Sequence, residues 1–154
     1  MFHATGSRIG EIVDVSAMYL VSSLFLVFYI KRFFNSSLRT LIFIYLTMNV
    51  FSITSLVMSQ SNGIILFTIQ IAVSVFFEIA ARLDKSVVVN QRHLRFLVAG
   101  FIVAFTCWVL DIRNVICDPE NHILGGHAIW HLANATCLWN FYKFQEQFFP
   151  PAKS

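Results

Sequence analysis

The chain has 154 residues, of which 57% are hydrophobic and 12% charged, with a mean hydropathy of +0.70 and a net charge of +3. Globular domains carry roughly 25% charged residues, so the composition excludes an ordinary water-soluble domain and makes lipid the expected solvent. No basic run interleaved with exposed aromatics occurs, which excludes nucleic acid as the partner and leaves membrane orientation as the reading of the positive charge. Cys107, Cys117 and Cys137 are too few for a disulfide scaffold and lack zinc-ribbon spacing. Cys107 and Cys137 read as small buried apolar residues. Met1-Phe2-His3-Ala4-Thr5 shows neither the basic nor the apolar region of a cleavable signal.

Apolar windows of about 20 residues recur, each sufficient to cross a hydrocarbon core of about 30 Å. Helices are expected over 11–30, 41–58, 64–81, 94–110 and 126–144. The expected fold is all-α, a polytopic membrane helix bundle of about five transmembrane helices forming a single domain over 1–154. Asn35-Ser36-Ser37 and Ser59-Gln60-Ser61-Asn62-Gly63 read as tight turns between the first three helices.

The connections alternate in charge. Lys31, Arg32 and Arg39 lie between the first and second helices, and the next turn is uncharged. Arg82, Lys85, Arg92 and Arg95 stand against Asp84 between the third and fourth, whereas Asp111, Asp118 and Glu120 stand against Arg113 in the last connection. The positive-inside rule makes the first and third connections and the C-terminal tail cytoplasmic. The N-terminus and the last connection then face the opposite side. His3, Asp14, Asp111, His127 and His131 consequently fall at a similar membrane depth.

His127 and His131 are four positions apart, which on a helix stacks both imidazoles on one face. Three readings fit: polar residues hydrogen-bonded between helices, interfacial residues near a lipid headgroup, or metal ligands. Ionisable residues inside a membrane mark functional sites by default, and imidazole suits zinc, whose catalytic sites take three protein ligands and a water. His3 is the remaining histidine with apolar neighbours on the same side. His93 lies in a basic cytoplasmic connection and His122 in the polar last connection. Asp14, between Val13 and Val15, reads as a carboxylate beside the metal that fixes a histidine tautomer or accepts a proton from water. Glu11 takes the role of helix N-terminal charge. Asp111 reads as a capping residue, Glu78 and Arg82 as a structural ion pair, and Asn134 as a donor to a carbonyl between helices.

Phe2-His3-Ala4-Thr5, Asp14 eleven positions after His3, Trp108-Val109-Leu110-Asp111, Cys117 and Gly126-His127-Ala128-Ile129-Trp130-His131 together resemble the alkaline ceramidase family. That family belongs to a membrane hydrolase superfamily shared with adiponectin-type receptors. The tryptophan before the second histidine of the pair favours the ceramidase branch. The resemblance implies a seven-helix fold with zinc held by His3, His127 and His131, and with Asp14 opening the third helix. The five expected helices would then be the family's third to seventh. Family members carry a serine four residues before the first histidine, a position that would precede Met1 here. The first helix and most of the second are likewise missing, so the chain reads as N-terminally truncated. Cys117 matches a loop cysteine that in some members pairs with an N-terminal one.

The resemblance implies zinc-dependent hydrolysis of the amide bond of ceramide-like lipids to a sphingoid base and a fatty acid, with Asp14 accepting the proton of water. The alternatives are a receptor or lipid sensor of the same superfamily without turnover, and a structural membrane protein whose histidines bind nothing.

Overall fold

The computed structural model describes residues 7–83, 89–113, 115 and 126–149. Five helices are present among the described residues: α1 (Arg8–Phe34), α2 (Leu38–Met58), α3 (Asn62–Leu83), α4 (Arg92–Ile112) and α5 (Gly126–Gln145). No strand occurs among the described residues. The all-α architecture agrees with the expectation. The helices overrun the expected bounds by one to four residues at most ends, because polar residues extend the apolar runs.

Two compact units form, α1–α3 and α4–α5. In the first, Ser7 caps α1 by accepting from the Gly10 amide at 3.2 Å. Arg8 and Glu11 pair at 2.9 Å in the first turn. This capping starts α1 three residues before the apolar run. Asn35 ends α1 in the left-handed region with φ 44°, and its amide reaches the Lys31 carbonyl at 3.0 Å. A short polar side chain tolerates that conformation. Ser37 then caps α2 by accepting from the Thr40 amide at 3.2 Å, so the connection is the tight turn expected.

α1 packs on both α2 and α3. Val15, Tyr19 and Leu56 form the buried apolar centre, flanked by Ile12, Ile53, Leu66 and Phe67. Gly63 permits the close approach at this point, since a Cβ there would lie 3.0 Å from Leu56 Cδ1. The Tyr19 hydroxyl donates to the Gly63 carbonyl at 3.0 Å. Beyond this centre the interior turns polar, with Ser22, Ser23, Asn49, Ser52, Gln70 and Ser74 all buried. Meanwhile Phe43, Val50, Phe51, Ile65, Ile69 and Phe76 are exposed. Apolar outside and polar inside is the distribution expected when hydrocarbon surrounds the bundle and interhelical hydrogen bonds hold it.

At the end of this unit carrying Lys31 and Arg32, Glu78 is the hub of an ionic cluster. Its carboxylate accepts from Arg82 Nε at 3.0 Å, Arg32 Nη1 at 3.5 Å and the Tyr29 hydroxyl at 3.2 Å. The expected Glu78–Arg82 pair is present, enlarged by two residues of α1.

In the second unit α4 and α5 are antiparallel neighbours along their whole length. Gln147 Oε1 accepts from the Asn90 amide at 2.9 Å, and His93 Nδ1 meets Asn140 Oδ1 at 3.0 Å. Cys137 Sγ donates to the Leu97 carbonyl at 3.5 Å. Trp130 packs on Phe101 and Trp108, with ring centroids 6.4 and 6.0 Å away. A Cβ at Gly100 would sit 2.9 Å from Cys137 Sγ, so glycine is what lets the backbones approach. In the last turn of α5, Lys143 donates to Glu146 at 2.8 Å, which holds the Glu146 carboxyl below the usual carboxylate range.

α1, α2, α3 and α4 are each long and apolar enough to cross a membrane. α5 has 20 residues but carries His127, His131, Asn134, Asn140, Lys143 and Gln145, so its composition alone does not mark it as a span. Among the described residues, four spans stand on composition, against the five expected.

Candidate metal centre

α5 begins at Gly126, and its first turn brings His127 to the helix. His131 follows one turn on. The buried side of the helix is set by Gly126, Trp130, Cys137, Phe141 and Phe144. Trp130 anchors that side to α4 within the cluster of Phe101, Phe105 and Trp108. With Trp130 fixed, His127 is left half-buried and His131 exposed.

The two rings stand perpendicular, with centroids 4.6 Å apart and an interplanar angle of 88°. Their Nε2 atoms lie 3.0 Å from each other. Two geometries give such a separation. One Nε2–H can donate to the other ring, or both lone pairs can converge on one cation. Tetrahedral zinc with Zn–N bonds of 2.0–2.1 Å places two imidazole nitrogens about 3.3 Å apart. The observed spacing needs only a few tenths of an ångström of ring adjustment to reach it. Directing Nε2 inward leaves both Nδ1 atoms for orienting contacts, the arrangement that zinc histidines commonly use. The donor set therefore fits zinc as two of its ligands.

The other expected site residues fall differently. His3 lies outside the described residues, as do Cys117 and His122. Asp14 is in the second turn of α1, half-buried, three positions after the buried Glu11 and one before the buried Val15. Asp111 is in the last turn of α4 and 3% exposed. Its carbonyl, with that of Val109, accepts from the Arg113 amide, so the backbone closes the helix where a side-chain cap was expected.

Two further expectations are corrected. Asn134 Nδ2 donates to the Trp130 carbonyl at 2.9 Å, one turn back on its own helix instead of across to another. His93 belongs to the first turn of α4 and packs on Asn140 of α5, and so is not a loop residue. The polar interior of α1–α3 was not anticipated. Its signal was the spacing of Gln70, Ser74, Glu78 and Arg82 every fourth position through an apolar run, which puts one polar stripe on one helix face.

No family model, curated protein or solved structure matches the chain.

Proposed function

We propose that the chain is a zinc-dependent hydrolase of the amide bond in ceramide-like membrane lipids. The observation that carries this reading is the convergence of His127 and His131 Nε2 at 3.0 Å in the first two turns of α5. His127 and His131 supply two ligands, and His3 is assigned the third from the resemblance to alkaline ceramidases. Bound there, zinc supplies a Lewis acid that lowers the pKa of water and polarises a carbonyl oxygen.

The residues of the chain have the remaining tasks. Asp14 is assigned the role of general base, holding the proton that water gives up and returning it to the leaving amine. Its place near the start of α1 matches the start of α5 in membrane sidedness, because positive connections put both at the non-cytoplasmic end. The exposed Leu132 and Ile129 border the histidines and offer acyl chains an apolar surface. A lipid substrate fits a polar site at membrane depth, since it arrives laterally from the bilayer.

α5 is proposed as the fifth crossing. Its antiparallel contacts follow α4 from Asn90–Gln147 to Trp108–Trp130, so it returns through whatever thickness α4 spans.

The test is the full chain purified in lipid nanodiscs. The expected result is stoichiometric zinc and release of a fluorescent fatty acid from labelled ceramide, both lost in His131→Ala. Protein without zinc sinks the proposal. Zinc without turnover selects the lipid-sensing alternative.

A further inference from the structure

The polar layer inside α1–α3 can be counted atom by atom. Ser22 Oγ hydrogen-bonds Gln70 Oε1 and lies 2.9 Å from the Met18 carbonyl. Gln70 Nε2 donates to Ser52 Oγ at 3.0 Å, and Ser74 donates to the Gln70 carbonyl at 2.9 Å. Asn49 Nδ2 donates to Ser23 Oγ and to the Tyr45 carbonyl, both at 2.8 Å. The Tyr45 carbonyl only accepts, so it fixes which end of the Asn49 amide is nitrogen. Asn49 Oδ1 is therefore the atom left over: buried, and without a protein partner. Asn49 itself is 5% exposed.

Donors are also left over. An amide nitrogen carries two hydrogens and a hydroxyl one. Gln70 Nε2 spends one hydrogen, on Ser52, and Ser52 Oγ accepts it without itself donating to any described residue. Asn49 and Ser52 are three positions apart on α2 and share a face. The layer thus offers one orphan acceptor and two unspent donors around small serine side chains. A cation would meet the acceptor but not the donors. A species that both donates and accepts meets all three.

We propose that this layer is an internal hydration site, in which one water molecule donates to Asn49 Oδ1 and accepts from the Ser52 hydroxyl and the Gln70 amide. Three hydrogen bonds are the usual complement of a buried water. The water ties α2 to α3 directly, and through Ser22–Gln70 and Asn49–Ser23 to α1. It is an integral part of the packing of this unit, and the site is independent of the histidines of α5.

The experiment uses the full chain in nanodiscs with 15N-labelled Asn and Gln side chains, and measures cross-relaxation from water to those amide protons. The expected result is strong cross-relaxation at the Gln70 and Asn49 side-chain amides of the wild type, lost at Gln70 in Asn49→Leu. Ser52→Ala, which removes the hydroxyl that donates to the water and accepts from Gln70, is expected to weaken it and carries the test if Asn49→Leu does not fold. A folded wild type without cross-relaxation at either amide overturns the proposal. So does a shift of both amides on replacing choline chloride with sodium chloride, which would make the occupant a cation.

Discussion

His127 and His131 present their Nε2 atoms to each other at 3.0 Å from perpendicular rings one turn apart on α5. Trp130, Cys137 and Asn140 are among the residues that hold α5 on α4. His127→Ala and His131→Ala are therefore expected to leave helicity unchanged. Each should lower zinc affinity by more than about 100-fold, since losing a ligand exceeds the roughly 10- to 100-fold cost of losing an outer-shell partner. Circular dichroism alongside metal titration checks both halves. Unaltered zinc binding in either variant would remove that histidine from the site.

Asp14→Asn separates proton transfer from metal binding. The amide keeps the size of the carboxylate but cannot act as a base. Turnover is expected to fall by about 100- to 10,000-fold, the range for loss of a general acid–base group, while zinc content stays stoichiometric. Full activity in this variant would assign Asp14 to the helix N-terminus as a favourable charge only.

Glu78 gathers Tyr29, Arg32 and Arg82 on one carboxylate, whose side chain is 12% exposed. Glu78→Gln is expected to destabilise the α1–α3 unit by about 1–3 kcal/mol, below the range for a fully buried pair because Arg82 reaches solvent. Arg82→Ala, at 45% side-chain exposure, is expected to cost less than about 1 kcal/mol. Thermal melts in micelles should order the two variants this way. The reverse order would make Arg82, rather than Glu78, the hub.

The fold was legible where one physical cue acted alone. Apolar run length located all five helices, and Asn35 and Ser37 marked a tight connection because each has a specific backbone or capping use. The histidine pair was legible because four-residue spacing has one meaning on a helix. Partner choice was not. Glu78 pairs with its own helix at Arg82 but also with Arg32 across to α1, and only the packing of α1 on α3 brings Arg32 there. Asn134 shows the converse: the sequence marks a polar residue in an apolar helix, yet its donor is satisfied by the Trp130 carbonyl without any neighbour. The apolar residues of α5 suggest a span, and its composition falls short because His127, His131, Asn134, Asn140, Lys143 and Gln145 interrupt them.

At Gly100, α4 lies close against Cys137 of α5. A Cβ at position 100 would sit 2.9 Å from Cys137 Sγ. Gly100→Ala is expected to destabilise the pair by about 1–3 kcal/mol through overpacking. Cys137→Ala removes the sulfur that the new methyl would strike, so the double variant should recover part of the loss. A coupling energy of about 0.5–3 kcal/mol is expected from the double-mutant cycle. Strict additivity would mean that α4 and α5 do not meet at Gly100.

Membrane orientation makes the last prediction. The positive-inside rule predicts Ser37 and the end of α5 on the cytoplasmic side, and the uncharged turn at Ser61 on the other. Gln147 bonds Asn90, which belongs to the basic third connection. In a background with Cys107, Cys117 and Cys137 replaced by alanine, cysteines at Ser37 and Gln147 should react with an impermeant maleimide only when it reaches the cytoplasmic face. A cysteine at Ser61 should react from the opposite face. Labelling of the Gln147 position from the same face as Ser61 would reverse α4 and α5 relative to the charge rule. The histidines at the start of α5 would then open to the cytoplasm, on the opposite side from Asp14, and the shared site proposed for them would fail with the topology.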